Sequence, residues 1–348
     1  MDAKTTIVSG IRRRRGLALA LPFLLAASTF VLPWAAGQSS AQSARSTVNI
    51  KVQLSWLNDV EFSGIYMAIH NGYFKHYGLN VSTLPGGVTV DPRSIVANGA
   101  AQIGTVAEGT DVVVGISHGA PIQAFAAQYQ KNPGCLLVMK KSHITSAKDL
   151  VGKTIGIQND ARDQIDGILQ YNHIPLSKVK IVVVGSSTTP LLLGKIDAFT
   201  AFAFNEPVAL GLKGYKVSCL SFSDIGLPAY GDAFIAKTSM IKSQPQVLAE
   251  FVRAVQKGWT YTLAHSTQTA NIVLKNYAPQ QDKQQQHAQM PIELSLLRAP
   301  GSPGLLGMTR NVWQRSIQFM AKEKVLAKPV TVNQVMTQSI FNRAKKLH

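Results

Sequence analysis

Hydrophobic and polar positions alternate along the chain in a pattern that predicts strands and helices in turn. Residues 48–54 (VNIKVQL) alternate apolar and polar side chains, which is typical of a β-strand. Residues 63–70 have the apolar spacing of a helix, and residues 79–87 (LNVSTLPGG) predict a second strand that ends in a Gly-Gly turn. Because strands and helices follow one another up to a mainly helical segment beyond Pro245, the sequence predicts an α/β fold with parallel sheets.

The strand and helix pattern occurs twice, in residues 48–120 and again in residues 153–215. The strand-like segments CLLVMKK and DAFIAKT follow these units, and we interpret them as a two-strand hinge between two α/β lobes. Ligands of open α/β sheets bind at the carboxyl ends of the strands, so we expect one ligand cleft between the lobes. The predicted first lobe comprises residues 48–138 plus 234–348, and the predicted second lobe comprises residues 139–233.

The N-terminus has the features of an export signal. Four arginines at 12–15 precede a mostly apolar run from Leu17 to Leu32, and small and polar residues follow at 35–41. The apolar run is shorter than the ~20 residues of a membrane-spanning helix, and this order of segments is typical of a secretory signal peptide. We therefore interpret residues 1–41 as a signal peptide and expect a mature protein in a periplasm. An uncleaved membrane anchor and the twin-arginine export route stay open as alternatives.

Composition and charge narrow the classes of function. The chain has 348 residues, of which 46% are hydrophobic and 15% charged, as in a globular protein. The formal net charge is +17, and loss of Lys4, four arginines and Asp2 with the signal peptide would lower it to +13. The remaining basic residues are scattered and form no aromatic-interleaved stripe. We interpret them as a solvated surface rather than as a nucleic-acid site.

Cysteine, histidine and glycine patterns predict neither a metal site nor a cofactor. Cys135 and Cys219 are the two cysteines, and they could form one disulfide or remain separate buried thiols. The eight histidines are scattered without HExxH spacing. No G-x-S-x-G motif occurs, and GKT at 152–154 lacks the upstream glycine of a P-loop. We therefore predict no catalytic residues.

Several longer segments resemble one known family. Residues 52–87 contain a strand that ends in Leu-x-Trp and the turn GYFKHYGL, and SAKDLVGKTIGI, PLLLGKIDAFTAF and FNEPVAL follow in order. Together they resemble the NMT1/THI5-like family of periplasmic solute-binding proteins, which is also related to alkanesulfonate-binding proteins. The resemblance implies the type II periplasmic binding protein fold. It also implies a small heteroaromatic solute, such as a thiamine pyrimidine precursor or riboflavin.

The same resemblance implies the partners. Family members act as monomers that deliver their solute to an ABC permease and its ATPase subunit, so contact with the membrane is expected only through the permease. More distant relatives bind alkanesulfonate, taurine or nitrate, which is one alternative. The second alternative is an exported enzyme related to the family's pyrimidine precursor synthase. Residues 104–113 contain no lysine where that enzyme carries its cofactor, and its clustered cysteines are missing, so we expect no enzyme activity.

The predicted ligand-binding residues of the first lobe follow its first strand. Trp56 comes directly after that strand, where its ring could stack on a flat heterocycle. Asn58, Glu61 and Phe62 occupy the next turn, and Tyr66 lies four residues beyond Phe62 on the same helical face. Each of these aromatic residues could instead pack the lobe.

Further candidates follow strands later in the chain. Glu108 lies before a helix, where its carboxylate would oppose an anion and favour a neutral, donor-rich ligand. Asn159 follows a strand of the second lobe and could cap a helix or touch the ligand. Phe204, Asn205 and Glu206 follow the strand KIDAFTAF, and Glu206 could accept hydrogen bonds from an aminopyrimidine or an isoalloxazine edge. The alternative for Glu206 is a helix cap.

Overall fold

The computed structural model of the protein describes residues 46–158 and 161–347. The predicted signal peptide and the candidate Asn159 lie outside these residues. Within the described ranges, no helix combines the length and the apolar character that crossing a bilayer requires.

Ten β-strands lie in the described part of the chain and form two five-stranded sheets. They are β1 (Val48–Gln53), β2 (Leu79–Leu84), β3 (Ile103–Glu108), β4 (Ile122–Tyr129), β5 (Gly134–Met139), β6 (Thr154–Ile157), β7 (Lys180–Val183), β8 (Ala198–Phe202), β9 (Val217–Ser221) and β10 (Gly231–Lys237). The strands predicted at 48–54 and 79–87 are thereby confirmed as β1 and β2.

Fourteen α-helices lie in the same described residues. They are α1 (Ser63–His70), α2 (Tyr73–His76), α3 (Pro92–Asn98), α4 (Gly109–Ser117), α5 (Arg162–Tyr171), α6 (Thr189–Leu192), α7 (Glu206–Leu212), α8 (Thr238–Ser243), α9 (Pro245–Ala264), α10 (Ser266–Asn276), α11 (Lys283–Leu296), α12 (Arg310–Lys322), α13 (Val332–Val335) and α14 (Ser339–Ala344). The helix predicted at 63–70 is confirmed as α1.

The two sheets have the same topology. Their strand orders are β2-β1-β3-β10-β4 and β7-β6-β8-β5-β9. β1 is parallel to β2 and β3, and β6 is parallel to β7 and β8. However, β10 and β5 are antiparallel to both of their neighbours. The prediction of parallel sheets is therefore corrected to mixed sheets, because each sheet takes in the strand that the chain forms just after crossing from the other sheet.

The crossings between the sheets lie in residues 130–133 and 222–230. The sequence pattern predicts CLLVMKK and DAFIAKT as hinge strands, but β5 and β10 are inner strands that form ladders on both sides. The first crossing therefore comes before β5, ahead of the predicted boundary at residues 138–139. We call the first sheet with α1–α4 and α8–α14 the first lobe, and the second sheet with α5–α7 the second lobe.

Helix packing fixes the turn that leads from β1 to the cleft. Helix α1 lies against α9, and a Cβ built on Gly258 would come within 1.9 Å of the Gly64 carbonyl oxygen. Only glycine permits this close approach of two helix backbones. Trp259 is completely buried beside Gly64, where it closes the same contact. The start of α1 is therefore held rigidly behind the cleft.

A disulfide links two strands of the second sheet. Cys135 in β5 and Cys219 in β9 form this bond, with a Cα–Cα distance of 5.5 Å. The two strands are antiparallel, and Leu137 lies opposite Cys219. The structure thus selects the disulfide from the two alternatives that the sequence left open.

Two features of the C-terminal half differ from the predicted pattern. The strand within the predicted segment DAFIAKT ends at Lys237, because α8 begins at Thr238. Helix α11 was not predicted, because Lys283–Leu296 is rich in glutamine and contains Pro291. The side chain of Asp282 caps this helix by accepting a hydrogen bond from the Gln285 backbone N–H. Gln285 of this unpredicted helix donates a hydrogen bond to Asn205 of the second lobe.

Candidate ligand-binding site

A cleft lies where the carboxyl ends of strands from both lobes meet, as the fold class predicts. It holds about 670 Å³ of space free of protein atoms, part of which is open to solvent. The first lobe contributes Ser55 and Trp56 after β1, Gly87 and Val88 after β2, and Glu108 at the end of β3. Parallel strands in one sheet bring these separate segments of the chain to one wall.

The second lobe contributes a matching wall. Gln158 follows β6, Phe202 ends β8, and Phe222 follows β9. Asn205 and Glu206 lie at the beginning of α7. Of the predicted site residues, Trp56, Glu61, Glu108, Asn205 and Glu206 therefore lie on the cleft.

Three predicted aromatic contacts are corrected, because their rings lie in the core. Phe62, Tyr66 and Phe204 are completely buried, and none of them lines the cleft. Phe62 and Tyr66 do share a helical face, but that face points away from the cleft. In the core, Tyr66 stacks on Tyr277 with ring centroids 4.3 Å apart. Phe204 packs against Tyr129 at 5.5 Å.

Asn58 is also held behind the wall. Its Oδ1 accepts a hydrogen bond of 3.0 Å from the Tyr66 hydroxyl, and its carbonyl oxygen accepts one of 3.1 Å from Gln281 Nε2. It does not line the cleft. Asn58 therefore positions the turn after Trp56 in this structure.

Phe202 is an aromatic wall residue that the sequence pattern did not single out. It is half-buried on the second lobe, whereas the half-buried Trp56 lies on the first. The two rings thus offer apolar faces from both lobes. Its position at the end of a predicted strand was the available signal, since side chains at strand ends reach the cleft.

Glu206 has a buried carboxyl group on the second-lobe wall. One of its oxygens, Oε2, accepts a hydrogen bond of 3.1 Å from the Phe202 backbone N–H. Burial raises the pKa of Glu206 from 4.5 to about 7, although the backbone hydrogen bonds oppose the shift. The side chain is therefore close to the point where it gains or loses a proton at neutral pH.

Asn205 is connected to the first lobe through the unpredicted helix. Gln285 of α11 donates a hydrogen bond of 2.8 Å from Nε2 to Asn205 Oδ1. A second bond across the cleft runs from Gln164 Nε2 on α5 to Asp111 Oδ1 on α4. Because both bonds join the two lobes, the structure has the lobes closed on the cleft.

Four buried carboxyl groups lie at and behind the first-lobe wall. Asp59, Glu61, Asp232 and Glu293 are each at most 2% exposed. Burial is the largest cause of the raised pKa of all four, and it brings the pKa of Asp59 to about 7 and that of Asp232 to about 6. Of the four, only Glu61 lines the cleft.

The cleft is acidic although the whole chain is basic. Among the described residues that line it, none is Lys, Arg or His. Arg93 pairs with Asp91 at 2.9 Å, and Arg162 pairs with Asp166 at 2.7 Å. The described residues also contain no cluster of histidine, cysteine and acidic side chains arranged for a metal ion. The cleft is thus suited to a ligand that donates hydrogen bonds.

A sequence profile of a family described as NMT1/THI5 like matches residues 59–269. The chain is 26% identical to the riboflavin-binding protein RibY of Chloroflexus aurantiacus, over 88% of this chain and 89% of that protein. It is 24% identical to the formylaminopyrimidine-binding protein of Halalkalibacterium halodurans, over 88% of this chain and 94% of that protein.

Other similar proteins include an enzyme and a solved binding protein. The 4-amino-5-hydroxymethyl-2-methylpyrimidine phosphate synthase THI5 of Saccharomyces cerevisiae is 24% identical over 63% of this chain and 68% of that protein. The periplasmic aliphatic sulphonate binding protein SsuA of Escherichia coli superimposes with a TM-score of 0.65 at 14% identity, over 84% of this chain and 93% of that structure. The likeness to the SsuA structure confirms the two-lobed periplasmic binding protein fold.

Proposed function

The chain belongs to the NMT1/THI5-like family, and on this basis we propose that it is the periplasmic solute-binding component of an ABC importer. Its solute is a small heteroaromatic molecule of the kind that a thiamine pyrimidine precursor or riboflavin represents. The mature protein acts as a monomer that carries this solute to a permease driven by an ATPase subunit. The names of the two relatives that match 88% of the chain support the solute class.

The observation that carries the proposal is the make-up of the closed cleft. Trp56 and Phe202 provide aromatic faces from the two lobes, while Asn205 and Glu206 provide polar atoms on one wall. Stacking on an aromatic ring is worth ~1–3 kcal/mol per base, and a hydrogen bond to a charged group about 1.5–3 kcal/mol. Together these contacts suit a planar molecule with N–H groups along its edge.

The mechanism is capture without chemistry. An open form admits the solute to one wall, and contacts from the second lobe then favour the closed form. Closure forms the bonds from Gln164 to Asp111 and from Gln285 to Asn205. The closed form is the one that the permease would recognise, since only this form carries a solute between the lobes.

The two alternatives have less support. A sulfonate or nitrate would face Glu61, Glu108 and Glu206 in a cleft whose described wall residues include no basic side chain. A synthase is favoured by the name of one relative, which matches 63% of this chain. However, no lysine occurs in residues 104–113, where the resemblance would place the cofactor-bearing residue.

Calorimetric titration with four compounds tests the proposal. Purified mature protein is titrated with riboflavin, formylaminopyrimidine, taurine and ethanesulfonate, and each mixture is then analysed for products by chromatography. We expect binding of one heteroaromatic compound at one molecule per chain, no binding of the sulfonates, and recovery of the bound compound unchanged. Binding of a sulfonate alone, or conversion of a heteroaromatic compound, would contradict the proposal.

A further inference from the structure

Glu61 lies at the point where the first-lobe wall meets the carboxyl cluster. It belongs to the short 3-10 turn Val60–Phe62 between β1 and α1, and its backbone N–H donates to Asp59 Oδ1 at 2.9 Å. The residue is 1% exposed, yet it lines the cleft. Its side chain thus borders both the solute space and the protein interior.

The hydrogen bonds around Asp232 determine where the proton of this cluster resides. Burial raises the pKa of Glu61, and the neighbouring carboxyl group of Asp232 raises it further, so one of these two buried groups keeps a proton. Asp232 already accepts bonds from Ser55 Oγ at 2.9 Å and from Gln128 Nε2 at 3.1 Å. Because these donors favour the charged form of Asp232, this proton belongs to Glu61.

The neighbouring elements reinforce this assignment. Asp59 from the turn, Glu293 from α11 and Asp232 from β10 all disfavour a further negative charge on Glu61. Tyr129 of β4 lies in the same buried group, since burial and then the charges of Glu293, Glu61, Asp232 and Asp59 raise its pKa. Within the described residues, none of these carboxyl groups forms an ion pair with a basic side chain.

One oxygen of Glu61 has no protein partner. Glu61 Oε1 is buried and accepts no hydrogen bond from any described residue. A buried polar atom without a partner is uncommon in a native protein and calls for an explanation. Because Glu61 lines the solute cleft, a hydrogen-bond donor supplied by the solute explains the unpaired atom.

We propose that Glu61 is a further specificity-determining residue, a neutral carboxylic acid that donates its proton to Asp232 and accepts an N–H of the solute at Oε1. This inference rests on the proposed function, and it adds a first-lobe polar contact to those of Asn205 and Glu206. The unpaired oxygen selects for an N–H group at this edge of the solute. A carbonyl oxygen or an anionic group at the same place would meet lone pairs instead.

Two substitutions separate the acceptor from the charge. Glu61→Gln keeps an oxygen at Oε1 and supplies an N–H to Asp232, so it mimics the neutral acid. Glu61→Met has a similar size but removes the acceptor. Glu323→Met is the matched control, because Glu323 is also a buried glutamate but lies outside both the cluster and the cleft.

The affinity of each variant is measured by calorimetry with riboflavin or formylaminopyrimidine, whichever the unaltered protein binds. We expect Glu61→Gln and Glu323→Met to bind within about 3-fold of the unaltered protein, and Glu61→Met to bind about 10-fold more weakly or worse, since a buried N–H of the solute loses its acceptor. If Glu61→Met binds as tightly as the unaltered protein, the role of Glu61 is overturned while the proposed function stands. A loss in Glu61→Gln as large as in Glu61→Met would show that Glu61 acts as a charge, which also overturns it.

Infrared difference spectroscopy keeps the test decisive if Glu61→Met does not fold. Solute binding to the unaltered protein is expected to shift a carboxylic-acid carbonyl band, and this shift should be missing in Glu61→Gln. The same shift in both proteins would exclude Glu61 as the neutral acid. If the unaltered protein binds neither probe, the proposed function itself fails and this inference with it, a result distinct from the failure of one variant.

Discussion

Glu61 and Glu206 face the cleft from opposite lobes, and their surroundings give them different roles. Glu61 lies beside the carboxyl group of Asp232, whereas Glu206 accepts a backbone N–H from Phe202. Burial raises the pKa of Glu206 to about 7 against the opposing effect of backbone hydrogen bonds, so this side chain can carry a charge when a donor approaches it. The same residue type therefore provides a neutral acceptor on one wall and a chargeable acceptor on the other.

Substitution of Glu206 tests the charged contact. Glu206→Gln should weaken binding of the heteroaromatic probe 10-fold or more, because a charge-assisted hydrogen bond is worth about 1.5–3 kcal/mol. Affinity in the unaltered protein should fall as the pH is lowered through about 7, where Glu206 gains a proton, and this dependence should be smaller in Glu206→Gln. Calorimetry at several pH values measures both effects.

Glu323→Gln is the control for this prediction. Glu323 has the same 8% exposure as Glu206 but does not line the cleft. Its substitution should leave the affinity and its pH dependence unchanged. If Glu206→Gln binds as well as this control, Glu206 is not a solute contact.

The aromatic contact on the first lobe is tested separately. Trp56→Ala should weaken binding by ~1–3 kcal/mol through loss of stacking, while Leu57→Ala, next to it and 47% exposed, should have no effect. The change in tryptophan fluorescence on solute binding is a second readout, and this change should be lost in Trp56→Ala. Equal affinities of the two variants would place Trp56 outside the contact.

At the scale of single residues, the sequence pattern predicted those residues of the cleft wall that directly follow a strand or start the next helix. Trp56 and Glu206 meet this condition, since strand ends lie at the cleft in this fold class. Phe62 directly precedes α1 and Tyr66 lies within it, and the orientation of this helix depends on its packing against α9, which local spacing cannot reveal. The role of Glu61 depends on Asp232, which is 171 residues away in the chain and enters through β10.

At the scale of secondary structure elements, alternation of apolar and polar residues predicted most strands. It did not predict the antiparallel direction of β5 and β10, because direction depends on the crossings between lobes and not on the side-chain pattern. It also missed α11, whose many glutamines give little apolar periodicity. Yet Gln285 of this helix donates a hydrogen bond to Asn205 at the cleft. A helix with a weak sequence signal therefore contributes to the site.

The disulfide should stabilise the second sheet. Cys135 and Cys219 are 84 residues apart in the chain, and a bond that closes a loop of this length constrains the unfolded state. The double substitution Cys135→Ala/Cys219→Ala should lower the free energy of unfolding by about 2–4 kcal/mol. Urea denaturation measures this difference, and treatment of the unaltered protein with a reductant provides the comparison. Equal urea midpoints for the oxidised protein and the double variant would contradict the expected contribution.

At the scale of the whole molecule, the buried carboxyl groups make stability depend on pH. The folded-state pKa is about 7 for Asp59 and Glu206 and about 6 for Asp232, all above their ordinary values. The folded protein therefore keeps protons that the unfolded chain has lost between about pH 4 and pH 7. Stability contributed by these groups is present below about pH 4 and is lost as the pH rises through 6 to 7.

Urea denaturation at pH 5 and pH 8 tests this dependence in the solute-free protein. The free energy of unfolding should be lower at pH 8, because the folded protein must then ionise carboxyl groups in its interior. Asp59→Asn should reduce the difference, since asparagine can still accept the hydrogen bond from Glu61 N–H but does not titrate. The same pH dependence in this variant and in the unaltered protein would exclude Asp59 as a source.

Closure connects the two lobes to the capture of a solute. Asp111 and Asn205 accept hydrogen bonds from the opposite lobes and lie on the cleft at the same time. These bonds must therefore be broken in the open form that admits a solute, and the solute is enclosed when they form again. The predicted two-lobed fold implies one shared cleft. These bonds could not be predicted from the sequence, because they depend on how α5, α7 and α11 are placed relative to their partners.

Native mass spectrometry of the protein exported into a periplasm, followed by release and identification of any bound molecule, tests the central claim most directly. We predict one planar, nitrogen-containing heteroaromatic molecule per chain, released chemically unchanged. Recovery of a sulfonate or nitrate in its place, or of a reaction product attached to the protein, would contradict the account.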